Sequence, residues 1–158
     1  MALANQNLVV ALRKAAKNLE NGNHYEWGHH GSCNCGNLLQ AATDLSKGEI
    51  IRYAQTGSGE WTELAQEYCE NTLAPFEMLI EKLTELGLNH VDIHHIEYLS
   101  DAKVLQNLDG GYRYLERNQR QNVIDYFYAF ADLMEMELAV EQEIVDAFVN
   151  KEEVIEYI

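Results

Sequence analysis

Proline is nearly absent from this sequence, with Pro75 the single example in 158 residues. So little proline leaves no polyproline segment and no stiff linker to divide the chain. Cysteine is also scarce, and odd in number at three. Small secreted domains stapled by disulfides carry a denser and even set. Cys33 and Cys35 are too close in the chain to pair with each other without straining the S–S geometry. No apolar run approaches the ~20 residues that a bilayer-spanning helix needs. The short apolar run near the N-terminus is followed, not preceded, by Arg13, Lys14 and Lys17, the reverse of a secretory signal. A cytoplasmic location with no membrane partner is therefore expected.

Positive charge is the other shortage. Eleven Lys and Arg face 26 Asp and Glu, a net charge of −15. Residues 1–60 balance five basic against five acidic side chains, whereas residues 61–158 set six against twenty-one. Nucleic acids are bound chiefly by Lys and Arg that neutralise phosphates, so no nucleic-acid partner is expected. Anionic membranes are disfavoured on the same ground. The acidic 61–158 half reads as a solvated face that keeps the chain in solution, or as a surface for a protein partner of opposite charge.

What is present is apolar periodicity. A chain of this length buries roughly two thirds of its unfolded surface, so one domain spanning 1–158 can hold a core without metal or disulfides. Leu8, Leu12, Ala15 and Leu19 recur at three- and four-residue steps in a helix expected over Leu3–Glu20, stopped by Asn21-Gly22-Asn23. A second helix is expected from Asn34 or Cys35, with Leu38, Leu39, Ala42 and Leu45 inward. Ser46 and Glu49 have capping-box spacing ahead of Ile50 and Ile51. Thr56–Gly59 reads as a loop, and Trp61, Leu64, Ala65 and Tyr68 as one helical face with Cys69 beside it.

Pro75 suits a helix first turn, followed by Phe76, Leu79, Ile80, Leu83 and Leu86 and a stop at Gly87. Asn89 caps a short helix bearing His90, His94 and His95. Ser100-Asp101 opens another through Val104, Leu105 and Leu108, closed by Asp109 to Gly111. The longest helix is expected from about Glu116 to Leu138, continued by Glu141–Val149. Val154–Ile158 is expected as a short strand or helical turn. No Asn-Gly turn joins two runs of alternating polarity, as a β-hairpin would require. The fold expected is an all-α bundle of five to seven helices, with a Cys/His loop after the first.

Chemistry is concentrated in two windows. The loop His24–Asn37 contains His29, His30, Cys33 and Cys35. Cysteines at a helix start lie near unpaired N–H groups and the positive end of the helix dipole, a setting that favours thiolate. Two sulfurs with one or two imidazoles form the ligand set that zinc prefers, although Cys-x-Cys departs from the usual Cys-x-x-Cys. In the second window His90 and His94 are four apart, so on a helix they share a face and can grip one ion. No Glu follows His90, so the HExxH protease motif is absent. Glu26 and His29 have the spacing of a di-iron Glu-x-x-His pair, but Gly28 between them is foreign to a helix interior.

The expected function is a zinc-type site made by Cys33, Cys35 and one or two of His29, His30, His90 and His94. One alternative is a non-catalytic acidic interaction or structural module. The other is a thiol-dependent enzyme or redox protein using Cys33 or Cys35. Trp27, Trp61 and the run Tyr126–Phe130 read as core aromatics.

Overall fold

The computed structural model of the protein describes residues 1–29, 31–54 and 74–156. Seven α-helices and no strand occur among them: α1 (Gln6–Glu20), α2 (Asn34–Ala42), α3 (Lys47–Ala54), α4 (Ala74–Glu85), α5 (His90–Tyr98), α6 (Ala102–Gln106) and α7 (Arg120–Glu156). The all-α bundle is as expected. No described helix is long and apolar enough to cross a membrane. The expected loop at Thr56–Gly59, the helix through Trp61 and Tyr68, Cys69 and His30 lie outside the described residues.

The start of α1 is set by a cap. Asn5 Oδ1 accepts the Leu8 N–H at 2.9 Å, one of the four N–H groups with no partner inside the helix. The helix therefore begins at Gln6, three residues later than the apolar pattern suggests. The residues before it form a strap over the end of α4. Leu3 N–H donates to the Gly87 carbonyl at 3.0 Å, and the Asn5 amide donates to Leu86 O at 2.8 Å. Gly87 has φ +87°, and a Cβ there would lie 2.8 Å from Leu3 O, so both the turn and the strap require glycine.

The apolar stripe of α1 buries Leu8, Leu12 and Leu19, with Ala11, Ala15 and Ala16 between them. The alanines let α7 approach closely, and α7 answers with Val123, Ile124, Phe127, Phe130, Ala131 and Met134, all buried. Each large apolar side chain removed from water contributes about 1.5–3 kcal/mol before entropy is counted. Arg120 donates to Leu19 O at 3.0 Å, and Arg13 pairs with Asp132 and Glu135 at 2.7 Å each. The end of α1 thus meets the start of α7, and the two run antiparallel. α2 lies at the centre of the remaining contacts, packed on α1, α3, α4 and α5, with Asn34–Leu39 wholly buried.

α7 begins at Arg120 rather than Glu116, because Glu116–Gln119 forms a turn that leaves the Gln119 carbonyl to accept the Val123 N–H. It then runs unbroken through Glu156. No Gly or Pro occurs in that span, so the two expected helical segments are one, and Val154 is helical rather than extended.

Candidate functional site

The His/Cys loop is folded by its own polar groups. Glu26 N–H reaches Ser32 O at 3.0 Å and Cys33 N–H reaches His29 O at 2.7 Å. Polar side chains on α2 then hold the loop down. Asn37 donates to Ser32 O at 2.8 Å and Cys33 O at 3.1 Å, and Gln40 donates to Gly31 O at 2.6 Å.

Cys33 is the N-cap of α2. Its Sγ accepts the Gly36 N–H at 3.4 Å, and its thiol donates to Glu97 Oε1 at 3.4 Å. The same oxygen takes the Cys35 N–H at 2.8 Å. Asn34, with no exposed surface, donates to both Ile96 O and Glu97 O at 2.9 Å. The start of α2 and the end of α5 therefore cap each other. A carboxylate from α5 satisfies an N–H group of α2, and an amide from α2 satisfies the last carbonyls of α5. The opposed helix-dipole ends attract, and the Glu97 charge lies at the positive one. Asn34 Oδ1 is the one buried side-chain polar atom among the described residues with no hydrogen-bond partner.

Five of the six expected metal ligands are described, His30 lying outside the described residues, and the buried cysteines are set apart from the exposed histidines. Cys33 and Cys35 are buried at the α2–α5 junction and share Glu97. Burial, then the nearby Glu97 and Cys33, pushes the Cys35 thiol well above its ordinary pKa. His29 is exposed, 3.0 Å from Glu26 Oε1. His90 and His94 do share one face of α5, but it is the outer one. The inner face, with Ile93, Ile96 and Glu97, is what meets the thiols. His95 hydrogen-bonds Ser100 Oγ at 2.8 Å. Among the described residues no group of three or more His, Cys, Asp or Glu side chains is arranged to hold a metal ion. Glu97, the residue that organises the junction, has one signal in the sequence: an acid four residues after Ile93 on an apolar face.

An aromatic notch adjoins the junction. Trp27 is half-buried, its indole N–H donating to Glu97 O at 3.2 Å. Its ring meets Tyr98 edge-on at 6.2 Å, and His94 stacks on Tyr98 at 4.6 Å. The Arg117 guanidinium carbon lies 4.2 Å from the Trp27 ring centre and 4.5 Å from that of Tyr98. Tyr25 donates to the Arg117 carbonyl. Trp27, expected in the core, is instead half-buried beneath the exposed Arg117.

The other candidate is the distal half of α7. Arg13 lies level with residues 132–135 and α1 begins at Gln6, so α1 ends as a neighbour near residue 140. Every residue from Ala139 to Glu152 is exposed. Met136, Val140, Ile144, Val145, Phe148 and Val149 each show 49–66% of their surface. Met136, Val140, Ile144 and Phe148 follow the i, i+4 step of one stripe. Residues 132–153 hold eight acids and one base, Lys151. No protein-family model, curated protein or solved structure matches the chain.

Proposed function

We propose that the protein is a non-catalytic interaction module whose projecting α7 docks a basic, amphipathic helical segment of another protein. The observation that carries this reading is the apolar stripe Met136–Val140–Ile144–Phe148 on a stretch of helix with no neighbour among the described residues, flanked by acids. Half of six large apolar side chains is on the order of 500 Å² of exposed hydrocarbon, at the upper end of the largest patch on an ordinary monomer. An apolar face takes an amphipathic helix. Eight acids against one base in residues 132–153 favour a basic partner and oppose a second copy of the same helix.

The test uses two synthetic helical peptides with one apolar face in common, the polar face lysine-rich in one and glutamate-rich in the other. Calorimetry with the whole chain should show binding of the basic peptide only, weakening with salt and lost in an Ile144→Glu/Phe148→Glu variant. Binding of neither peptide, equal binding of both, or self-association through the stripe in sedimentation would overturn the proposal.

The zinc-type reading of Cys33, Cys35, His29, His30, His90 and His94 has less support, since the two sulfurs are buried together whereas the described histidines of that set, His29, His90 and His94, are exposed. Its test is elemental analysis of protein purified without chelator, where stoichiometric zinc would restore it. The thiol-enzyme reading is weakened by burial of both sulfurs.

A further inference from the structure

We infer that Trp27 and Tyr98 form a preformed recess for an arginine guanidinium presented by a partner, occupied in the free chain by Arg117. The recess is independent of the proposed docking by α7 and of its apolar stripe.

The rings are fixed without help from Arg117. Trp27 is anchored by its indole N–H on Glu97 O, and Tyr98 is braced by the stacked His94 one helical turn before it. They meet at 67°, and in the corner between them one flat cation, Arg117, lies over both rings at once. A guanidinium suits that corner better than an ammonium, because it is planar, more weakly hydrated and stacks on aromatic rings.

The occupant is held less firmly than its counterparts. Arg13 pairs with two carboxylates, Arg113 with Asp125 at 2.8 Å, and Arg120 with backbone carbonyls. Arg117 is exposed and makes no ion pair among the described residues, in a chain of net charge −15. Its loop leaves α6 through Gly110 and Gly111, both at positive φ with open space around them, and carries the exposed Tyr112 and Tyr114. Tyr25 and Arg113 hold that loop in place, so Arg117, whose side chain is exposed, leaves the rings by rotation about its own side-chain bonds and not by movement of the backbone.

The test titrates N-acetyl-arginine amide, with N-acetyl-lysine amide as control, into full-length chains at matched ionic strength. All chains carry Trp61→Phe, so that Trp27 alone reports by fluorescence. Removing the resident side chain in Arg117→Ala should tighten arginine binding roughly five- to thirtyfold, the factor expected for two exposed cation–π contacts. Arg117→Gln, which keeps the stem and loses the charge, should do the same if the alanine variant fails to fold. Adding Tyr98→Leu should abolish the gain, and lysine should bind more weakly than arginine. Equal affinity for arginine with and without Arg117, or a gain that survives Tyr98→Leu in folded protein, would overturn the inference.

Discussion

Replacing Asn34 by aspartate tests the reciprocal capping at the α2–α5 junction, because it changes one NH2 to oxygen at almost constant shape. The amide donates to Ile96 O and Glu97 O at 2.9 Å each, and the residue is wholly buried. An ionised carboxylate in that position would face two carbonyl oxygens in a dry site, so the folded state would keep it protonated. Holding a carboxyl of ordinary pKa near 3.9 protonated at pH 7 costs about 4 kcal/mol, three units at roughly 1.4 kcal/mol each. The acid O–H can serve only one of the two carbonyls, and loss of the second bond adds about 1 kcal/mol.

The total, about 5 kcal/mol, is a third or more of a domain's usual stability. Asn34→Ala should cost less, about 2 kcal/mol. Ile96 O loses its donor, but Glu97 O keeps the Trp27 N–H, and the orphaned Oδ1 is removed. The pH dependence carries a definite sign. A carboxyl whose folded pKa is raised binds its proton more tightly in the folded state, so stability is greatest below the unfolded pKa and falls as pH rises toward the folded one. The Asn34→Asp deficit should therefore shrink by about 1.4 kcal/mol per pH unit between pH 7 and pH 5. Urea melts of parent and both variants, followed by circular dichroism, measure it directly. A pH-independent deficit, or an Asp variant as stable as the Ala variant at pH 7, would refute the capping account.

Gly87→Ala should destabilise by about 2 kcal/mol, through positive φ and the contact with Leu3 O. Gly110→Ala, with nearly equal φ but open space, should cost only about 1 kcal/mol in the same urea melts. Arg13 lowers the Glu135 pKa mainly through its side-chain hydrogen bond. In Arg13→Ala the Glu135 carboxyl should titrate at an ordinary, higher pH by carbon NMR, and an unchanged midpoint would show that the pair does not form in solution. In a Cys69→Ser chain, Cys33 and Cys35 should resist iodoacetamide at pH 8 until urea is added, since both are buried and the Cys35 thiol is pushed up. Mass spectrometry showing labelled native protein would contradict that.

The two aromatic-to-charge contacts show where reading the chain by pattern stops. Trp27 lies in a polar loop, and only the Glu97 carbonyl seventy residues later gives its N–H a partner. Arg117 carries no mark in its neighbourhood that distinguishes it from Arg113 or Arg120. Periodicity records which face of a helix avoids water, but not which neighbour covers that face. His90 and His94 therefore stand on one exposed face of α5 as their spacing requires, and the adjoining face, about a quarter turn away and bearing Ile93, Ile96 and Glu97, meets the sulfurs.

The sequence by itself determined the helices, because their causes are local. Leucine and alanine at three- and four-residue steps built α1, the capping asparagines at 5 and 89 started α1 and α5, and the lack of glycine and proline carried α7 to Glu156. Only the tertiary structure decided that Glu97 would cap α2, that Asn34 would cap α5, and that the last turns of α7 would stand clear of α1. Those outcomes depend on where separate helices end relative to one another, and a helix end has no partner until another part of the chain is folded against it.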